Sequence, residues 1–159
     1  MKSPILFLVA GVLAFPLLLQ AEPANHDHGA SASHKIELNA DRKWATDEAS
    51  RKGMTAIRTL IGAALPAARA GKFTPAQYDA LANDVNVQTS YIVQNCKLYP
   101  KADALLHIVI GDIAKGVEIV QGKRPGADRS SGVVEIAQAT NTYGEYFNHP
   151  GWQAIKLPH

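Results

Sequence analysis

Ala70-Gly71-Lys72-Phe73-Thr74-Pro75-Ala76-Gln77-Tyr78 holds the end of one helix and the start of the next. Gly71 stands where a left-handed residue closes a helix without a Cβ penalty. Thr74 can accept from the backbone of the turn that follows it. Pro75 suits the first helical position, where its missing N–H would have had no partner, and Gln77 can reach back to complete a capping box. A stop and a start this close leave no room for a crossover, so the two helices must be antiparallel neighbours.

The same punctuation organises the chain on either side. Upstream, a segment from about Asp41 to Ala70 places Met54, Ile57, Ile61, Ala64 and Ala68 on one face at three-and-four spacing, with Trp44 a few turns earlier. Downstream of Thr74, Tyr78, Leu81, Val85, Ile92 and Cys96 mark a second stripe. A third segment starts near Pro100 and presents Ala102, Leu106, Val109, Ile110, Ile113, Val117 and Val120 before Gly122 stops it. Gly122-Lys123-Arg124-Pro125-Gly126 is a turn. The fourth segment, from about Ser131 to Asn148 with Ser130 and Ser131 as capping residues, carries Val133, Ile136, Ala137, Thr140, Tyr143 and Phe147, and Pro150 closes it. The expectation is an all-α, antiparallel up-down-up-down four-helix bundle over residues 41–149, with 150–159 as a C-terminal extension.

Ahead of the bundle, Met1-Lys2 and the uncharged run from Ile5 to Leu19 read as a secretory signal ending at Ala21. The run is shorter than the ~20 residues a spanning helix prefers, contains Pro16, and meets polar residues at Glu22. Retention as an uncleaved anchor is the alternative. Cleavage predicts a periplasmic or otherwise exported chain of fewer than 140 residues, a single domain, with no membrane association afterwards. Residues 22–40 are rich in Pro, Ala, Ser, Gly, Asn and His and read as a flexible tail.

The formal charge of +2 is spread over interspersed acids and bases, which gives nucleic acid no basic face to bind. The single cysteine, Cys96, rules out an internal disulfide and the Cys-x-x-Cys-His pattern of covalent haem. In an oxidising compartment a lone thiol is buried, ligates a metal, or pairs with another molecule. No Gly-x-Ser-x-Gly, His-Glu-x-x-His or phosphate-cradling loop occurs, so no catalytic residue is assigned and no enzyme is expected.

Two sets of donors remain. The tail carries His26-Asp27-His28 and His34, and imidazole suits copper, zinc and nickel; a solvated leader without a role is the plainer reading. In the bundle, the expected topology brings Met54, Cys96 and His107 toward one pole, together with Trp44, Tyr146, His149 and Trp152. Thioether, thiolate and imidazole favour copper(I), and Met54 opposite His107 can also ligate non-covalent haem iron. Against this, Met54 lies on a regular apolar stripe, His107 has Asp103 one turn before it as a local partner, and the aromatic run from Tyr143 to Trp152 can simply close the bundle end.

His26-Asp27-His28, Lys43-Trp44-Ala45-Thr46-Asp47, Gly53-Met54, Asn95-Cys96, Asp103 to His107 and Tyr146-Phe147-Asn148-His149-Pro150-Gly151-Trp152, taken together, resemble a family of small exported proteobacterial proteins labelled DnrO-like. The resemblance spans nearly the whole mature chain. It implies a helical bundle similar to that of periplasmic b-type cytochromes and cytochrome c-prime. Those cytochromes place Met on the first helix and His on the fourth, whereas here His107 falls on the third, so only the Met54 element carries over. The functional expectation is a non-catalytic metal-binding or metal-handling protein, with a b-type haem electron carrier and a metal-free interaction or stress module as alternatives.

Overall fold

The computed structural model describes residues 35–157, which contain four helices and no strand. These are α1 (Glu48–Arg69), α2 (Pro75–Asn95), α3 (Pro100–Val120) and α4 (Arg129–Tyr146). They pack as a ring, α1 on α2 and α4, and α3 on α2 and α4. No helix among the described residues is long and apolar enough to cross a membrane.

The α1–α2 turn follows from its residues. Gly71 is left-handed at φ 66°, the Gln77 N–H donates to Thr74 Oγ1, and Gln77 Oε1 accepts from the Thr74 N–H at 2.8 Å. Helix α1 begins later than its apolar spacing suggests. Ala40 and Asp41 are both left-handed, in a tight turn tied by Asn39 and Arg42, and the helix starts at a second capping box in which the Ser50 N–H donates to Asp47 Oδ1 at 2.8 Å. Trp44 therefore precedes α1. Its N–H donates to Tyr146 O and its carbonyl accepts from the Asn148 N–H, both at 2.8 Å, which ends α4 at Tyr146 rather than Asn148. Asp128, not Ser130 or Ser131, caps the start of α4, accepting from the Ser130 N–H.

The segment whose composition reads as a tail joins the bundle within its last few residues. Ile36 packs on the core, and the Glu37 carbonyl accepts from Trp44 Nε1 at 2.7 Å, because a buried indole N–H needs an acceptor.

Met54, Ile57, Ile61, Val85, Ile92, Leu106, Val109, Ile113, Val120, Ile136, Tyr143 and Phe147 are buried in the centre. Ile110, expected inward, is only half-buried, and Leu105 and Ile119, absent from the expected stripe, are buried. Helices α3 and α4 meet at Gly116 and Gly132: a Cβ built on Gly132 would lie 2.6 Å from Gly116 O, and one on Gly116 would lie 3.0 Å from Gly132 O. The missing side chains let the two backbones touch.

At one end, Lys97 N–H donates to Asp47 Oδ2 at 2.5 Å and the Lys101 ammonium lies 5.5 Å from the Trp44 ring centroid. At the other, Arg129 donates to the Val120 carbonyl, pairs with Asp79 and covers the Tyr78 ring.

Candidate functional site

The donors singled out in the sequence fall in different environments. Met54 is 0% exposed. Its thioether lies in the apolar interior, where any ligand would first have to displace core side chains. His107 sits on the outer flank of α3 with 49% of its side chain exposed, and its Nδ1–H donates to the Asp103 carbonyl at 2.9 Å, with Asp103 Oδ2 at 3.5 Å. That local bond fixes the ring one turn back along its own helix. A haem held by Met54 and His107 does not fit this arrangement, since one ligand is enclosed and the other faces solvent.

Cys96, half-buried at the C-cap of α2, donates its thiol toward Asp47 Oδ1 at 3.8 Å. Burial and the adjacent Asp47 carboxylate push the thiol up to about 11, so it stays protonated at neutral pH. Asp47 shifts the other way: burial opposes its charge, but donors from Lys97, Ser50 and Cys96 outweigh burial and hold its carboxyl below the usual range. Among the described residues, no three His, Cys, Asp or Glu side chains gather in a way that could hold a metal ion. His26, His28 and His34 lie outside the described residues.

What does converge at this end is a polar chain inside an aromatic cluster. Tyr143, fully buried, stacks on Phe147 at 5.1 Å and meets the edges of His149 at 5.7 Å and Trp152 at 5.0 Å. Its hydroxyl bonds His149 Nδ1 at 3.1 Å, and His149 Nε2 bonds Thr55 Oγ1 at 3.3 Å. Burial pushes the Tyr143 phenol far up, while burial and the Arg51 guanidinium push the His149 imidazole below its ordinary value. Around neutral pH the pair is therefore a neutral phenol on a neutral imidazole, which can orient and relay hydrogen bonds. Beside it runs a shallow groove of about 430 Å³ lined by Glu48, Arg51, Lys52, Thr55, His149 and Pro150.

No family model, curated protein or solved structure matches this chain. None of these comparisons links the chain to DnrO-like proteins.

Sequence reading missed the part played by Ser50, Thr55 and His149. The Asp47-x-x-Ser50 cap had a local signature, because an acid three residues before a hydroxyl at a helix start is a recognisable pair. His149 had none. Its partners Thr55 and Tyr143 come from α1 and α4, and only the folded bundle sets them around one ring.

Proposed function

We propose that the protein is an exported, non-catalytic metal-binding protein, in which an up-down-up-down four-helix bundle carries a leader whose imidazoles His26, His28 and His34 take copper or zinc. The observation behind this reading is the tract His26-Asp27-His28 with His34 close by, whose donors suit those ions. It is supported by the state of the donors in the bundle: Met54 enclosed, His107 bonded to its own helix, and Cys96 held as a thiol by Asp47. The antiparallel topology is supported by the end-to-end contacts of Asp47 with Lys97, Trp44 with Tyr146 and Asn148, and Arg129 with Val120 and Asp79.

The aromatic end closing on itself favours the second reading, a metal-free interaction module, because Trp44, Tyr143 and Phe147 are all buried there by neighbouring protein groups. One experiment separates the two. The mature protein, purified without an affinity His-tag, is titrated with zinc and with copper and assayed for bound metal and haem, then compared with a form lacking residues 22–34. Metal uptake that disappears with the deletion while helix content stays constant supports the tail. Uptake that survives the deletion moves the site into the bundle, and no uptake by either form leaves the interaction module.

A further inference from the structure

Beyond Tyr146 the chain does not trail away. His149-Pro150-Gly151-Trp152 forms a tight turn, closed by the Trp152 N–H donating to His149 O at 3.1 Å, with Gly151 left-handed at φ 76°. The turn sends residues 152–157 back along the groove between α1 and α4. There the Asn141 amide grips Ile155 from both sides, donating to its carbonyl at 2.9 Å and accepting from its N–H at 2.7 Å. Ile155 is buried, and Arg58 donates to the Gln153 carbonyl. The Trp152 indole lies so close over Gly144 that a Cβ there would meet its Nε1 at 2.0 Å.

This strap is attached by few bonds, and one of its polar atoms is badly placed. Among the described residues Trp152 Nε1 is buried without a hydrogen-bond partner, which weakens docking because a released indole would bond water. The imidazole at the root of the strap lies 4.9 Å from the Trp152 ring and is tied to Tyr143 and Thr55. We propose that His149 is a proton-sensitive latch: protonating its ring releases residues 150–157 from the α1–α4 groove while the four helices stay folded.

The charges around the ring set the direction. From α1 it faces the Arg51 guanidinium, and from α4 the phenol of Tyr143; Glu48 and Lys52 line the same groove, but Lys52 turns its ammonium over the Tyr91 ring, and Arg51 is the charge that acts on His149. Burial between Tyr143 and Trp152 is the larger effect, and with the Arg51 charge it holds the docked ring's pKa below its ordinary value. Release returns the ring to water, where it binds a proton more readily. The contribution of the neutral ring to docking is therefore complete above the ordinary histidine pKa and is lost as pH falls through the docked value. Release frees the Asn141 amide, which in the docked state bonds both the carbonyl and the N–H of Ile155.

The test is amide hydrogen exchange on the mature chain at about pH 8 and about pH 5, corrected for the intrinsic rate, with the His149 ring titration followed in parallel by NMR. Protection at Ile155 is expected to fall severalfold in acid while amides of Val109 and Ile136 keep theirs, with the midpoint of release matching the His149 titration. Protection that does not change with pH, or midpoints that separate, overturns the proposal. His149→Gln removes the pH dependence whether it leaves the strap docked or released, and a dependence that persists in it also overturns the latch. Asn141→Ala opens the strap at both pH values and gives the signal of the released state.

Discussion

Replacing Gly132 by alanine sets two effects against each other, and the structure decides between them. In a helix interior, alanine is favoured over glycine by about 0.8–1.0 kcal/mol, so propensity alone predicts a gain. A Cβ at Gly132, however, would lie 2.6 Å from Gly116 O, 2.8 Å from Val120 N and 2.9 Å from Ile119 Cβ. Carbon–oxygen contacts settle at roughly 3.3–3.6 Å, so α3 and α4 would have to part by roughly 0.7–1 Å. Two of the three obstructing atoms are backbone, which no rotamer change can move. A gap of that size forfeits roughly a quarter to a half of each dispersion contact across the crossing, and overpacked cores generally lose about 1–3 kcal/mol. The clash wins, and Gly132→Ala is expected to destabilise the bundle by about 1–3 kcal/mol. Gly111→Ala on α3 is the matched control: it meets nothing within 4 Å and should stabilise by about 0.5–1 kcal/mol. Urea unfolding followed by far-UV circular dichroism measures both. A Gly132→Ala midpoint at or above that of the unaltered protein would refute the close backbone crossing.

Three further outcomes are expected. Ile113→Ala, at a fully buried position, should lower stability by about 2–5 kcal/mol, and Ile108→Ala, half-buried, by clearly less; equal unfolding midpoints would mean that α3 is rotated from the orientation described. Asp47→Asn keeps a good N-cap residue but removes the charge facing Cys96, so the thiol should titrate below about 11 yet stay above an ordinary cysteine because burial remains. The pH profile of its alkylation rate reads this directly, and an unchanged profile would show that Asp47 does not act on the thiol. Gly144→Ala should displace the Trp152 indole and expose Ile155 to exchange while leaving the helices folded, and full protection at Ile155 would contradict the seating of Trp152.

The four helices were legible because each carries its own period and its own punctuation: Thr74, Pro75 and Gln77 start α2 in the structure as their chemistry requires. The crossing of α3 and α4 was not. Gly116 and Gly132, seen singly, are weak points inside helical patterns, and they become a contact only when two helices are set in register. The late start of α1 had its local sign in Asp47 and Ser50, but what keeps the preceding residues out of the helix was hidden for a related reason. Residues 41–47 continue without a breaker, and the event that stops helix there is a pairing of Trp44 with Tyr146 and Asn148, about a hundred residues away in sequence.

The candidate site separates axial from radial information. Helix order and rise per residue place Met54, Cys96 and His107 toward one end of a bundle, but say little about which way each points. Direction depends on the stripe. Met54 falls at its middle and is enclosed, while His107 is one residue beyond the buried Leu106, a rotation of about 100° that carries it to the flank. Cys96 lies past the last turn of α2, where the backbone is already extended and Asp47 receives it. A soft-donor centre would need all three to point inward at one level, with a space between them. Here Tyr143 and Phe147, fully buried with their rings stacked at 5.1 Å, pack the core at that end. Among the described residues Met54 is enclosed, and solvent-facing His107 is not part of any group of three donors. The proposed metal site therefore rests on the donors of residues 22–34, and their deletion is the decisive arm of the metal titration.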